Sequence, residues 1–127
     1  MILNTHLSLE NTLCGDVIAL EKDYAKVSLQ ALPIMIADKK GLVHGGFIFG
    51  AADFCAMATV NDPYVVLAKS ETKFLAPVKE GEVVLFEGKT IHKDGKKVKV
   101  EVMGSVEEKQ VFWGVFYTVV LQKHVLS

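Results

Sequence analysis

One carboxylate stands out of place. Asp53 is the only charged side chain between His44 and Asp62, inside the stretch GFIFGAADFCAMATV. At helical spacing its neighbours are Phe49, Gly50, Ala56 and Met57, so no cation lies within a turn of it. An unpaired buried carboxylate costs several kcal/mol or more. A structural Asp would need a partner, and its mid-helix position argues against a capping role. The functional reading is a desolvated acid with a raised pKa, serving as base or nucleophile beside a cleft. Ahead of it stands Val43-His44-Gly45-Gly46. Two glycines admit close approach of a ligand to the backbone, and free N–H groups at a helix start favour developing negative charge. That combination suits an oxyanion site.

The elements that would position these groups follow from periodicity. Gly46–Val60 is too long for a strand without a turn, and it is apolar nearly all round, which predicts a helix buried on most sides. Asn61-Asp62-Pro63 closes it. Strands are predicted at 15–20, 24–32, 65–76, 83–92, 98–106 and 111–122, with Asp94-Gly95 as a hairpin signal. In the last strand both faces are apolar, so it should be central or lie at a subunit contact. Ile34–Val43 reads as a loop. The expected architecture is α+β, a long antiparallel sheet curled around one buried helix, in a single domain over residues 1–127.

Gly46 and Asp53 are seven residues apart, about 10 Å along a helix. One carbonyl group cannot easily reach both from the same helix. A site that uses both takes the glycines from one subunit and the acid from another, which implies a homodimer or homotetramer with shared sites.

Composition narrows the partners. The chain has 127 residues, half of them apolar, and a net charge of −1. Near neutrality gives no bulk attraction to nucleic acid or anionic lipid. No run is long enough to span a membrane. The N-terminus shows no signal-peptide pattern, and Cys14 and Cys55 are too few for a disulfide scaffold or a cysteine zinc site, so a reduced, cytoplasmic protein is expected. No metal or cofactor is expected: His6, His92 and His124 stand isolated, and no His pair has ligand spacing. Cys55 reads as a small buried hydrophobe. All 14 basic residues are Lys. Any phosphate must then be held by ammonium groups or backbone N–H, not by a guanidinium fork.

His44-Gly45-Gly46, six residues, then Asp53, with Asn61 eight further on, resembles the HGG-x6-D helix of hotdog-fold thioesterases of the PaaI-like group. Phe74-Leu75-Ala76-Pro77-Val78-Lys79-Glu80-Gly81 resembles their second motif, a strand followed by a turn. The resemblance implies the hotdog fold and hydrolysis of an acyl-CoA thioester. It places carbonyl polarisation on Gly45 or Gly46, the acid on Asp53 and loop shaping on His44. Asn61 is then a substrate-side residue, and Lys69, Lys73, Lys96 and Lys97 are the candidates for the phosphates of coenzyme A. The chain departs from the family pattern at Asp38, where Asn is usual, and at Ala76, where Arg is usual. It also resembles the ligand domain of the fatty-acid regulator FapR, a hotdog that binds malonyl-CoA without hydrolysing it. That regulator carries Asn at the acid position, whereas this chain has Asp53 and is expected to lack a DNA-binding helix-turn-helix. A non-catalytic acyl-CoA-binding module is therefore the alternative function, and a hotdog hydratase using His44 and Asp53 ranks below both.

Overall fold

A computed structural model describes residues 1–127. Six strands form one antiparallel sheet: β1 (Asp16–Glu21), β2 (Tyr24–Gln30), β3 (Val65–Phe74), β4 (Val83–Asp94), β5 (Lys97–Val106) and β6 (Lys109–Val120). Their order across the sheet is β1-β2-β4-β5-β6-β3. A four-residue helix, α1 (Asn11–Cys14), precedes β1, and the long helix α2 spans Gly45–Val60. This is the hotdog fold, α+β as expected. The sequence pattern gave no sign of α1 or of the 3-10 turn at Pro33–Met35, each too short to establish a period.

The sheet wraps α2 because one set of alternating residues points at it. Ala25, Val27 and Leu29 of β2, Val84 and Phe86 of β4, Val98, Val100 and Val102 of β5, and Phe112 and Phe116 of β6 are all buried. They close on Ile48, Ala51, Ala52, Phe54, Cys55 and Met57 of the helix. Small residues let the helix sit close to the strands. A Cβ at Gly88 would lie 2.4 Å from Thr59 Oγ1 and 3.2 Å from Cys55 Sγ. The buried Thr59 hydroxyl is committed to the Cys55 carbonyl at 2.8 Å, so it cannot yield without losing that bond. Gly88→Ala should therefore cost about 2–3 kcal/mol, from overpacking and a displaced buried hydroxyl. Urea denaturation of the purified variant measures it, and an unchanged midpoint would contradict this packing.

The two-faced strand is central, between β5 and β3. Its outer face is covered by its own chain. Lys69 of β3 and Lys99 of β5 lie 4.8 Å and 5.2 Å from the Tyr117 ring centroid, and Lys73 lies 6.0 Å from Trp113. Trp113 Nε1–H donates to Glu101 at 3.0 Å. Val115, between these rows, is only 7% exposed. Long lysine stems shield apolar surface while their ammonium groups stay in water. This face therefore does not by itself require a subunit contact.

The chain before α1 is a strap laid along α2. Asn61 takes the left-handed conformation that ends the helix, its N–H bonding Met57 O. Its side-chain amide donates to Ile2 O at 2.9 Å, and its carbonyl oxygen accepts from Asn4 N–H at 2.6 Å. No helix is long and apolar enough to cross a membrane.

Candidate active site

The helix start is built by the loop before it. Asp38 accepts from the N–H groups of Lys40 and Leu42, at 2.9 Å and 3.2 Å, and so shapes the turn. Val43 N–H then bonds Val78 O, and His44 N–H bonds Met35 O, both at 2.9 Å. The first helical bond is Phe47 N–H to His44 O, while no backbone carbonyl accepts from Gly45 or Gly46. Those two donors are the orphans expected at a helix start. His44 gives α2 no side-chain cap. Its ring lies over Gly46 instead, with Nε2 2.9 Å from where a Cβ would stand, and meets Phe47 edge-on. The Phe74 ring covers Gly45 at 3.4 Å on the same measure. Beside these glycines runs an apolar groove of about 340 Å³, whose lining includes Leu42, Ile48, Phe74, Leu75 and Val111.

Gly46, Gly50 and Asp53 recur at intervals of four and three, so they share one side of α2. This stripe stays partly open while most of the helix is buried. Asp53 Oδ1 is buried and has no hydrogen-bond partner. Desolvation raises the carboxyl pKa to about 6. The acid faces a cavity of about 430 Å³, which Thr5, His6, Met57, Tyr64 and His124 also line. His6 and His124 thus line the same cavity as the acid, which their isolation in sequence concealed. Cys55 is buried against Ala25 O at 3.6 Å, and burial pushes its thiol pKa up.

Other sequence candidates lie apart. Lys69, Lys73 and Lys97 pair with Tyr117, Trp113 and Val119, which places them on the outer face of the sheet, opposite α2. Lys69 and Lys97 flank a shallow hollow there with His92, Lys99 and Tyr117. Lys96 sits in the β4–β5 turn and borders the C-terminal residues. None of the four reaches Asp53 from within the same chain. The alternation of Lys97 and Lys99 with buried valines already carried that signal. Asn61 serves as helix cap and strap clasp, with both ends of its amide engaged inside the chain. No cluster of three or more His, Cys, Asp or Glu side chains could hold a metal.

With this geometry in view, the likenesses to known proteins become informative. The family model of the Thioesterase superfamily matches residues 40–112, a span that contains the free glycine donors, Asp53 and the Phe74–Gly81 motif. The chain belongs to the thioesterase superfamily. The resemblance read from the two motifs therefore holds. A crystal structure of an uncharacterized protein from Pyrococcus horikoshii is 46% identical, with a TM-score of 0.99 over 100% of this chain and 98% of that one. Among curated relatives, a methylthioribose-1-phosphate isomerase of Aquifex aeolicus is 46% identical over 121 residues, 95% of this chain but 26% of the relative. Transcription factor FapR of Oceanobacillus iheyensis is 35% identical over 113 residues, 87% of this chain and 59% of the relative. The chain thus spans a quarter to three fifths of these curated relatives.

Proposed function

We propose that the protein hydrolyses an acyl-CoA thioester. The observation that carries this reading is Asp53, a partly buried acid with an unpartnered oxygen on the one open stripe of the helix. A base works best when its pKa lies near the operating pH, and about 6 meets that condition. In the proposed reaction, the N–H groups of Gly45 and Gly46 polarise the thioester carbonyl. Asp53 takes a proton from water as the water oxygen attacks the carbonyl carbon. The tetrahedral intermediate then expels the thiolate, which recovers that proton from Asp53. Direct attack by Asp53 would instead expel the thiolate and form a mixed anhydride, and water attacking its Asp53 carbonyl carbon would release the acyl acid and leave ¹⁸O from labelled water in the carboxylate. A thiol-release assay over a panel of acyl-CoAs tests the reaction itself, and saturable binding with no released thiol would refute it.

The relation to FapR supports a second reading, a module that binds an acyl-CoA without turnover. The same assay separates the two, because a sensor shows the binding and lacks the thiol.

In this reading the working unit is a homodimer or a pair of dimers. Along one helix the glycine donors and Asp53 are about 10 Å apart, too far to share one carbonyl. The ten-residue β3 forms an open edge of the sheet, and unpaired edges invite pairing with another chain. Sedimentation velocity should show at least a dimer at assay concentrations, and an active monomer would overturn the shared-site arrangement. The proposed setting is cytoplasmic, with acyl-CoA as the ligand and no role for nucleic acid, membrane or cofactor.

A further inference from the structure

The strap brings a histidine to the cavity that the acid faces. His6 stands on a left-handed backbone turn, with φ of 56°. Such a conformation is uncommon for a residue with a Cβ. Its Nδ1 lies 2.8 Å from the hydroxyl of Thr5, which is only 4% exposed. Its ring packs against Phe54, with centroids 6.1 Å apart. The Asn61 clasp holds the strap in place two residues upstream, at Asn4. The imidazole is therefore fixed at one nitrogen, on one face and through its backbone. Nε2 makes no hydrogen bond within the chain, and His6 lines the cavity that Asp53 faces. His124, the other imidazole there, is exposed and lies in the C-terminal turn.

We propose that His6 is a further substrate-binding residue of this site, its Nε2 hydrogen-bonding an uncharged amide on the thiol arm of the bound thioester. This rests on the thioester reading above. Desolvation holds the imidazole pKa below its ordinary value, which favours the neutral ring. A neutral ring offers a phosphate no ion pair but suits an amide dipole. The arm of coenzyme A presents such an amide one ethylene group beyond the sulfur. With the carbonyl near Asp53 and the thiol arm directed into this cavity, as proposed, that amide comes within reach of its lining. Thr5 acts through the ring, as a positioning residue.

The test is equilibrium binding, so it is independent of turnover. Two non-hydrolysable thioethers with the same acyl group are compared. One carries the N-acetylcysteamine arm, and the other a hydrocarbon chain of equal length without an amide. The wild-type protein should bind the amide form roughly 3–10-fold more tightly, the worth of one net hydrogen bond. His6→Asn, which tolerates the left-handed backbone but shortens the reach, should lose that preference and leave the hydrocarbon ligand's Kd unchanged. Thr5→Val keeps the ring but frees it, and should lose part of the preference. Equal weakening of both ligands, or an intact preference in both variants, overturns the proposal. If the wild-type protein binds the amide form selectively but releases no thiol, only the hydrolytic reading fails. If it binds neither thioether, both fail.

Discussion

Asp53→Asn should lower kcat for thioester hydrolysis by about 10²–10⁴-fold, the usual loss when a positioned acid–base group is removed. Asn keeps the shape, so the KM of a well-bound substrate should move far less. A fall in kcat and kcat/KM together would mark an interaction made only in the transition state. Neither cysteine offers a substitute nucleophile, because burial raises the pKa of both the Cys14 and the Cys55 thiol. The mixed-subunit experiment sharpens the result. Asp53→Asn subunits combined with subunits obstructed at the glycines should recover about one working site per mixed dimer, since one of its two sites then pairs intact glycines with an intact acid. Unimpaired hydrolysis by the Asn variant would remove Asp53 from the mechanism.

The same substitution should stabilise the protein, and the gain should depend on pH. Desolvation gives Asp53 a pKa of about 6 when folded, against 3.8 ordinarily. Above pH 6 both states are ionised and the folded state bears the full cost of the buried charge. Between pH 6 and 3.8 the folded state holds a proton that the unfolded state has released, so stability rises as pH falls. Below 3.8 both are protonated and the cost is gone. The rise from 3.8 to about 6 corresponds to about 3 kcal/mol, which partial exposure of the side chain reduces to about 1–2 kcal/mol. Asp53→Asn should therefore raise Tm by about 4–8 °C at pH 7.5. At pH 4.5 most of that difference should vanish. Thermal scans of the two proteins at both values check it, and a gap independent of pH would show that desolvation of Asp53 is not its source.

These properties were legible from sequence to unequal degrees. The predicted strand at 24–32 is β2, Tyr24–Gln30, and the predicted helix at 46–60 is α2, Gly45–Val60, because period and length are local. Asp53 was visible as a polar interruption of an apolar run. Placing β3 at the sheet edge beside β6, not next to β4, depends on pairing between Val65 and Val120 across the whole C-terminal half. No local pattern states such a pairing. His6 escaped for the same reason: nothing within ten residues of it reveals Phe54 or Asp53. The family motif implies a substrate-side role for Asn61, and only the fold shows that its amide also bonds Ile2 and Asn4, at the far end of the chain. The lysines of β5 were assignable by parity alone, since alternation with buried valines fixes which face they occupy.

The clasp between the strap and the end of α2 has a consequence for the order of assembly. β4, β5 and β6 are joined by tight turns, so their pairing closes short loops and incurs little chain entropy. The bonds from Asn61 to Ile2 and Asn4 instead close loops of 59 and 57 residues. They reward the chain only once α2 has docked on the sheet and its final turn exists. The meander should then nucleate, and the strap should lock last and release first. Hydrogen exchange at the amide of Asn4 reports that late unit, at a free energy below global unfolding. One wall of the Asp53 cavity, at Thr5 and His6, thus belongs to the segment whose clasp is made by the most sequence-distant of these contacts.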